Sequence, residues 1–267
     1  MNLLDSIVTF KRREIAQSKA NISRTELELF PAFGWPAHSL RQALLAEGAS
    51  GVIAEFKRKS PSKGIINGKA LVTEVTRGYA DAGASGLSVL TDEEFFFGTS
   101  DDLRQARTTN PTTPILRKDF IIDEYQLWEA KAWGADVILL IAACLSHSEI
   151  DHLARRAHEL GLEVLLEVHD PTELERSLNS NVDLVGVNNR NLKTFTVSIE
   201  TSLDLAGHIP DEFVKISESG LGEAATIHQL RAAGYRGFLI GETFMKTDQP
   251  ARALAQLVDQ LREKQYV

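Results

Sequence analysis

Four junctions in this chain repeat one local plan: "YADAGASGLSVL", "EAKAWGADVILL", "AHELGLEVLL" and "LRAAGYRGFLI". In each, a helix-like segment runs into a glycine, Gly83, Gly134, Gly161 or Gly234, and an apolar strand-like run follows within a few residues. Glycine takes the left-handed conformation that ends a helix at little cost, so the pattern reads as a repeated helix-to-strand unit. Apolar runs of strand length occur at "VIAEFK", "GLSVLT", "PILRKDF", "DVILLI", "LEVLLEV", "DLVGVN", "FVKISES" and "GFLIGE". Helical patterns follow them, among them "SEIDHLARRAHEL" and "PARALAQLVDQLREK".

Eight strand-helix units predict a (β/α)8 barrel, an α/β fold that needs about 250 residues with its extras. A doubly wound open sheet is the alternative, but no G-x-G-x-x-G follows the first strand. Residues 1–50 precede that strand and carry helix-like "LLDSIVTFKRREIAQSKA" and "SLRQALLAEG" around "LFPAFGWPAHS". They are expected to form an N-terminal helical extension covering one barrel end, with residues 51–267 as the barrel, together one structural domain.

In such barrels chemistry occurs at the C-terminal ends of the strands, so polar residues there read as functional. Glu55 and Lys57 share a strand face, as do Leu116, Lys118 and Phe120. With that face inward, the mouth collects Glu55, Glu167 and Glu218 against Lys57, Lys118 and Arg190, and Asn188 and Ser219 lie nearby. Desolvated charges are costly unless paired, and a balanced set meets that demand. Exposed strand-end charges are the alternative for any one of these residues.

"SESGLG" (Ser217 to Gly222) and "LIGETF" (Leu239 to Phe244) each combine glycine with a helix start. Helix N-termini bind anions, and barrels often use the loops after strands seven and eight for phosphate, although ordinary turns have the same composition. "EEFFFG" places three consecutive phenylalanines after strand two; a strand cannot aim all three at one core, so at least one is expected to line a wall or loop against an apolar ligand.

Some classes are disfavoured. A net charge of −8 argues against a general polyanion surface, so no nucleic-acid partner is expected. The single cysteine, Cys144 in "VILLIAACL", allows no intrachain disulfide and reads as a buried structural thiol. The seven histidines show no metal-ligand spacing; His147, His152, His158 and His169 are expected at solvated helix positions, and no metal is assigned. No run approaches the roughly 20 apolar residues of a membrane span, and the N-terminus lacks a secretory leader's layout. A cytoplasmic protein with no membrane contact and no obligatory protein partner is expected.

"IAEFKRKSPSKG", "SVLTDEEFFFG", "PILRKDF", "LLEVHD", "VGVNNRNLKTF", "SESG" and "LIGETFM", in this order at predicted strand ends, resemble the indole-3-glycerol phosphate synthase family of tryptophan biosynthesis. The likeness runs from about residue 50 to 250, and "LLDSIVTFKRREI" is similar to the family's extra helices. It implies a carboxy-lyase barrel with no cofactor. Its small phosphorylated substrate, 1-(2-carboxyphenylamino)-1-deoxyribulose 5-phosphate, closes to an indole with loss of carbon dioxide and water. By motif, Lys118 corresponds to the general acid at the ketone, Glu167 to the acid/base residue of dehydration, and Lys57 to a lysine on the substrate carboxylate that can also donate a proton.

The resemblance places Glu55, Asn188, Arg190 and Glu218 where the substrate is oriented or the lysines are tuned. Ser60, Ser219, Gly220, Gly241 and Glu242 match the phosphate-side loops, the last three through backbone N–H groups. Phe96, Phe120 and Leu192 match apolar positions around the anthranilate ring. The segment from Asn67 onward departs from the family's pattern. Alternatives from other classes are a barrel performing an Amadori rearrangement, such as phosphoribosylanthranilate isomerase, and a non-catalytic or redesigned ligand-binding barrel. The chain ends just after the eighth helical pattern, as a monofunctional version would.

Overall fold

The computed structural model describes residues 3–192 and 194–263. Eight parallel strands close on themselves: β1 (Val52–Phe56), β2 (Gly86–Leu90), β3 (Ile115–Lys118), β4 (Val137–Ile141), β5 (Glu163–Val168), β6 (Leu184–Asn188), β7 (Val214–Glu218) and β8 (Gly237–Ile240). Each pairs with its sequence neighbours, and β8 returns to β1 through Val52–Phe238, Ile53–Leu239 and Ala54–Ile240. The helices Val72–Asp81, Ser100–Thr109, Tyr125–Ala132, His147–Glu159, Pro171–Ser177, Glu200–Leu205, Ala224–Ala232 and Pro250–Glu263 follow the strands in turn. Gly83, Gly134, Gly161 and Gly234 all have positive φ, between 73° and 99°, as the junction pattern requires.

Alternation along the strands separates two cores. Val52, Ala54, Val89, Ile138, Leu166 and Val185 point outward into the layer beneath the helices. Ile53, Leu116, Leu139, Leu165, Leu184, Ile216 and Leu239 fill the interior. The interior is therefore packed and cannot serve as a channel, which leaves the strand ends for chemistry.

The segment before β1 is divided between the two barrel ends. The helix Leu40–Leu45, capped by Ser39, drives fully buried Leu40 and nearly buried Leu44 into the end where the strands begin. Room for them comes from Gly86 and Gly237 at the starts of β2 and β8: a Cβ at either would lie 2.5 Å from Leu40 Cδ1 or 3.2 Å from Leu44 Cδ1. Glu163 at the start of β5 accepts the N–H groups of Leu40 (2.8 Å) and Arg41 (3.1 Å), fixing this plug. The longer helix Leu3–Asn21 instead reaches the opposite end, where its Lys11 meets Asp92 and Asp119, the residues just past β2 and β3. Its far turn is tied to the wall by Lys19–Asp123 (2.8 Å) and by the Tyr125 hydroxyl on the Ile22 carbonyl (2.8 Å).

Cys144, partly buried, packs between both cores, and burial pushes its thiol up to about 12, which keeps it protonated at neutral pH. Among the described residues, no helix is long and apolar enough to cross a membrane.

Candidate active site

The inward-facing alternation ends with Glu55 on β1, Lys118 on β3, Glu167 on β5 and Glu218 on β7. Alternate strands thus contribute one titratable group each to the uppermost interior ring, where a structural barrel would place apolar side chains. Glu55, Glu167 and Glu218 are 3%, 3% and 2% exposed, so their charges must be answered locally.

Lys118 Nζ lies 3.3 Å from Glu167 Oε2, and Lys57 Nζ lies 2.6 Å from Glu55 Oε1. Asn188, the last residue of β6, donates through Nδ2 to Glu167 Oε1 (3.1 Å), while its Oδ1 accepts from the Ser219 hydroxyl (2.9 Å) and the Arg190 N–H (3.0 Å). One chain of contacts therefore joins Lys118, Glu167, Asn188, Ser219 and Arg190. Ser88 adds a hydroxyl 3.3 Å from Glu55 Oε2. Phe96 and Phe120 face each other with ring centroids 6.2 Å apart.

The loops after β7 and β8 are packed on one another. Ser219 (φ 70°) and Gly220 (φ 74°) turn the chain after β7, and a Cβ on Gly222 would lie 2.8 Å from Thr243 Cγ2 in the loop after β8. Gly241 backs onto Glu55, whose Oε1 a Cβ there would approach to 2.6 Å, so the carboxylate occupies space that only glycine leaves. Glu242 opens the short helix Glu242–Met245, whose first N–H groups have no partner within the helix. Ser60, buried in a two-stranded ribbon with Gly64–Ile65, belongs to the loop after β1, and Asn67 ties that loop to the Met245 carbonyl (3.3 Å). Leu192 sits half-buried in the loop after β6, which the Asn191 N–H closes on the Thr196 carbonyl (2.9 Å).

Two sequence expectations, for Arg190 and His169, need correction. Arg190 does not complete a set of three opposed pairs: its nearest carboxylate is Glu242 (3.8 Å), which Lys63 also approaches (3.7 Å). The three phenylalanines part from one another, as their consecutive positions require. Glu93–Phe96 is a helical turn capped by Asp92, and its rings diverge: Phe95 meets Phe10 edge-on at 5.9 Å, Phe96 meets Phe120, and Phe97 lies under Lys59 at 4.3 Å. His169 is not on a solvated helix. It follows β5 directly, with Nε2 3.5 Å from Glu167 and Nδ1 3.0 Å from Glu173. The signal for it was available, since His169 is two residues past Glu167 and so shares its face.

Burial opposes the charge of Lys118, but Glu167, Glu218 and Glu55 together hold its pKa above the ordinary lysine value. Burial likewise opposes ionisation of Glu167, and Lys118, His169 and Asn188 outweigh it, so its pKa is lowered. Burial also opposes protonation of His169, yet Glu173 and Glu167 raise its pKa. Glu218 differs: burial and the neighbouring Glu167 charge raise it from 4.5 to about 8, and its Oε1 has no hydrogen-bond partner among the described residues. At neutral pH the site thus holds an ammonium, an ionised carboxylate and a neutral carboxyl within one ring.

A stability measurement checks this assignment. Between 4.5 and about 8 the native state holds the Glu218 proton that the unfolded chain has lost, so stability falls as pH rises through that window. His169 contributes a decline of the same sign, present below its unfolded value and lost as pH passes its raised folded value. Glu218→Gln is therefore expected to flatten the profile by on the order of 1 to 3 kcal/mol between pH 5 and 8.5, read by urea unfolding. An unchanged slope would assign Glu218 an ordinary ionised state.

Among solved structures, 3-hexulose-6-phosphate synthase from Salmonella typhimurium aligns with a TM-score of 0.63 at 13% identity, covering 79% of this chain and 99% of that one. KGPDC from Streptococcus mutans aligns with a TM-score of 0.61 at 11% identity, covering 79% and 97%. At such identities the likeness concerns the barrel alone. Sequence relatives go further. An indole-3-glycerol phosphate synthase of Bacteroides thetaiotaomicron is 51% identical over 253 residues, covering 95% of this chain and 96% of the relative. One from Acidovorax sp. (strain JS42) is 44% identical over 263 residues, covering 96% and 98%. The family model described as indole-3-glycerol phosphate synthase matches residues 4–257, which takes in the N-terminal helix as well as every strand, and the chain belongs to that family.

Proposed function

We propose that this barrel converts 1-(2-carboxyphenylamino)-1-deoxyribulose 5-phosphate to indole-3-glycerol phosphate, with Lys118, Glu167 and Lys57 carrying the proton transfers. The observation that supports it most is the Lys118–Glu167 pair, 3.3 Å apart inside the mouth of a chain of this family. In the first step the aryl carbon bearing the carboxylate attacks the ketone, a carbon-carbon bond forms, and the ketone oxygen gains negative charge. The Lys118 ammonium quenches that charge by donating a proton. Loss of carbon dioxide returns the bonding electrons to the ring; the new hydroxyl then leaves as water with a proton from the Lys57 ammonium, and loss of a proton from the adjacent ring carbon completes the indole. Glu167, held ionised, is suited to accept that proton.

Lys57 also serves binding, together with the remaining residues. Lys57 meets the substrate carboxylate while Glu55 positions its ammonium. Neutral Glu218 spares the anionic substrate, with its carboxylate and phosphate, a further repulsion. Phe96, Phe120 and Leu192 take the ring end. The phosphate lies against Ser60, Ser219 and the backbone N–H groups of Gly220, Gly241 and Glu242, where Arg190 and Lys63 offset the Glu242 carboxylate. Residues 51–267 act as the catalytic barrel, and the helical segment of residues 1–50 closes the end where the strands begin and braces the loops at the other.

Incubating the protein with the carboxyphenylamino ribulose phosphate is expected to release one equivalent of carbon dioxide and to develop indole fluorescence. Correctly folded protein that yields neither would overturn the assignment.

A further inference from the structure

Lys11 lies outside the barrel sequence, on the helix Leu3–Asn21, yet its side chain is fully buried. Its ammonium is 2.9 Å from Asp119 Oδ1, 3.0 Å from Asp92 Oδ2 and 3.0 Å from Glu14 Oε2. The two aspartates are not ordinary surface partners. Asp119 separates Lys118 from Phe120, accepts the Phe120 N–H (2.8 Å), and is held on its other oxygen by Thr91 (2.6 Å) and Arg117 (3.0 Å). Asp92 accepts the Phe95 N–H (2.8 Å) and so starts the turn that carries Phe96. Phe10, beside Lys11 in sequence, packs edge-on against Phe95 in that turn.

We propose that Lys11 is a positioning residue for the ring end of the site: by bridging Asp92 and Asp119 it sets the spacing of the Phe96–Phe120 wall and the heading of Lys118. The inference rests on the proposed use of that wall for the aromatic part of the substrate. Without Lys11 two buried carboxylates on adjacent loops face one another, and like charges at that spacing push the loops apart. Burial opposes the Lys11 charge, but Asp119, Asp92 and Glu14 hold its pKa above the ordinary value, so the bridge stays charged wherever the protein is folded. The phosphate loops after β7 and β8 make no contact with this bridge among the contacts described, so the disturbance should be confined to one end of the substrate.

The test compares the full chain with Lys11→Met and with Lys11→Met/Asp92→Asn, which also removes one of the facing charges. Folding is checked by circular dichroism and thermal unfolding. Affinity for the aromatic end is read by fluorescence titration with anthranilate and with indole-3-glycerol phosphate, and affinity for the phosphate end by titration with inorganic phosphate. The expected result for folded Lys11→Met is a loss of aromatic-ligand affinity of about tenfold, a kcat/KM lower by about 10²-fold, and phosphate affinity within about twofold of the parent. The double variant should recover part of the aromatic affinity, because the repulsion is relieved.

Equal weakening toward aromatic ligands and phosphate, or aromatic affinity within about twofold of the parent, would overturn the proposal. So would a failure of both variants to fold, since Lys11 would then serve the fold and not the site. The functional reading fails separately, if the unmodified chain forms no indole product while still binding anthranilate with an affinity that depends on Lys11.

Discussion

Lys118→Met should lower kcat by about 10²- to 10⁴-fold, the range a positioned general acid contributes. Methionine keeps most of the stem's volume and removes the ammonium that lies 3.3 Å from Glu167 Oε2. Steady-state assay of indole formation reads the effect, and stopped-flow analysis assigns it to ring closure. Affinity for the product, which has no ketone, should weaken only modestly. Stability should fall as well. Lys118 is the largest of the influences that keep buried Glu167 ionised, so its loss leaves a carboxylate answered only by His169 and Asn188, and breaking a buried pair ordinarily costs about 3 to 5 kcal/mol. Glu167 can relieve part of this by taking up a proton, so the measured loss should be smaller near neutrality and should grow as pH rises. A correctly folded Lys118→Met enzyme retaining more than about a tenth of normal kcat would point to Lys57 as the main donor.

Glu167→Gln should separate the steps. Glutamine keeps the size of the side chain but cannot exchange a proton, and one of its amide ends must turn a donor toward either Asn188 Nδ2 or Lys118 Nζ. We expect dehydration to slow by about 10²-fold or more, with carbon dioxide released before indole fluorescence appears. A single-turnover experiment that follows both signals reads the lag directly. Simultaneous signals at the normal rate would remove Glu167 from the dehydration step. The substitution also deletes the like charge beside Glu218, so the Glu218 pKa should fall from about 8 toward its ordinary value.

How legible the molecule was varies from residue to residue. The eight strands lie within two residues of their apolar runs, and the four junction glycines take the positive φ expected of them, because helix termination and strand burial depend on neighbours only a few positions away. The two-residue period also brought Glu55 and Lys57 together correctly. The same period puts His169 on the face of Glu167, and at "EEFFFG" the run itself required the rings to part, while only the Asp92 cap makes the segment a helical turn.

The chain's own pattern determined the barrel, the inward face of each strand and the ring of titratable groups at one end, since each of these follows from short-range periodicity and turn chemistry. Tertiary structure alone decided the partners. Lys11 meets Asp119 across more than a hundred residues of sequence, Lys118 meets Glu167 across 49, and Arg190 meets Glu242 in place of the carboxylates of the inner ring. Such pairs are set by closure of the sheet and by where the N-terminal helix docks against it. Any of several charged residues could satisfy a buried carboxylate, and only the closed barrel selects which one lies within reach.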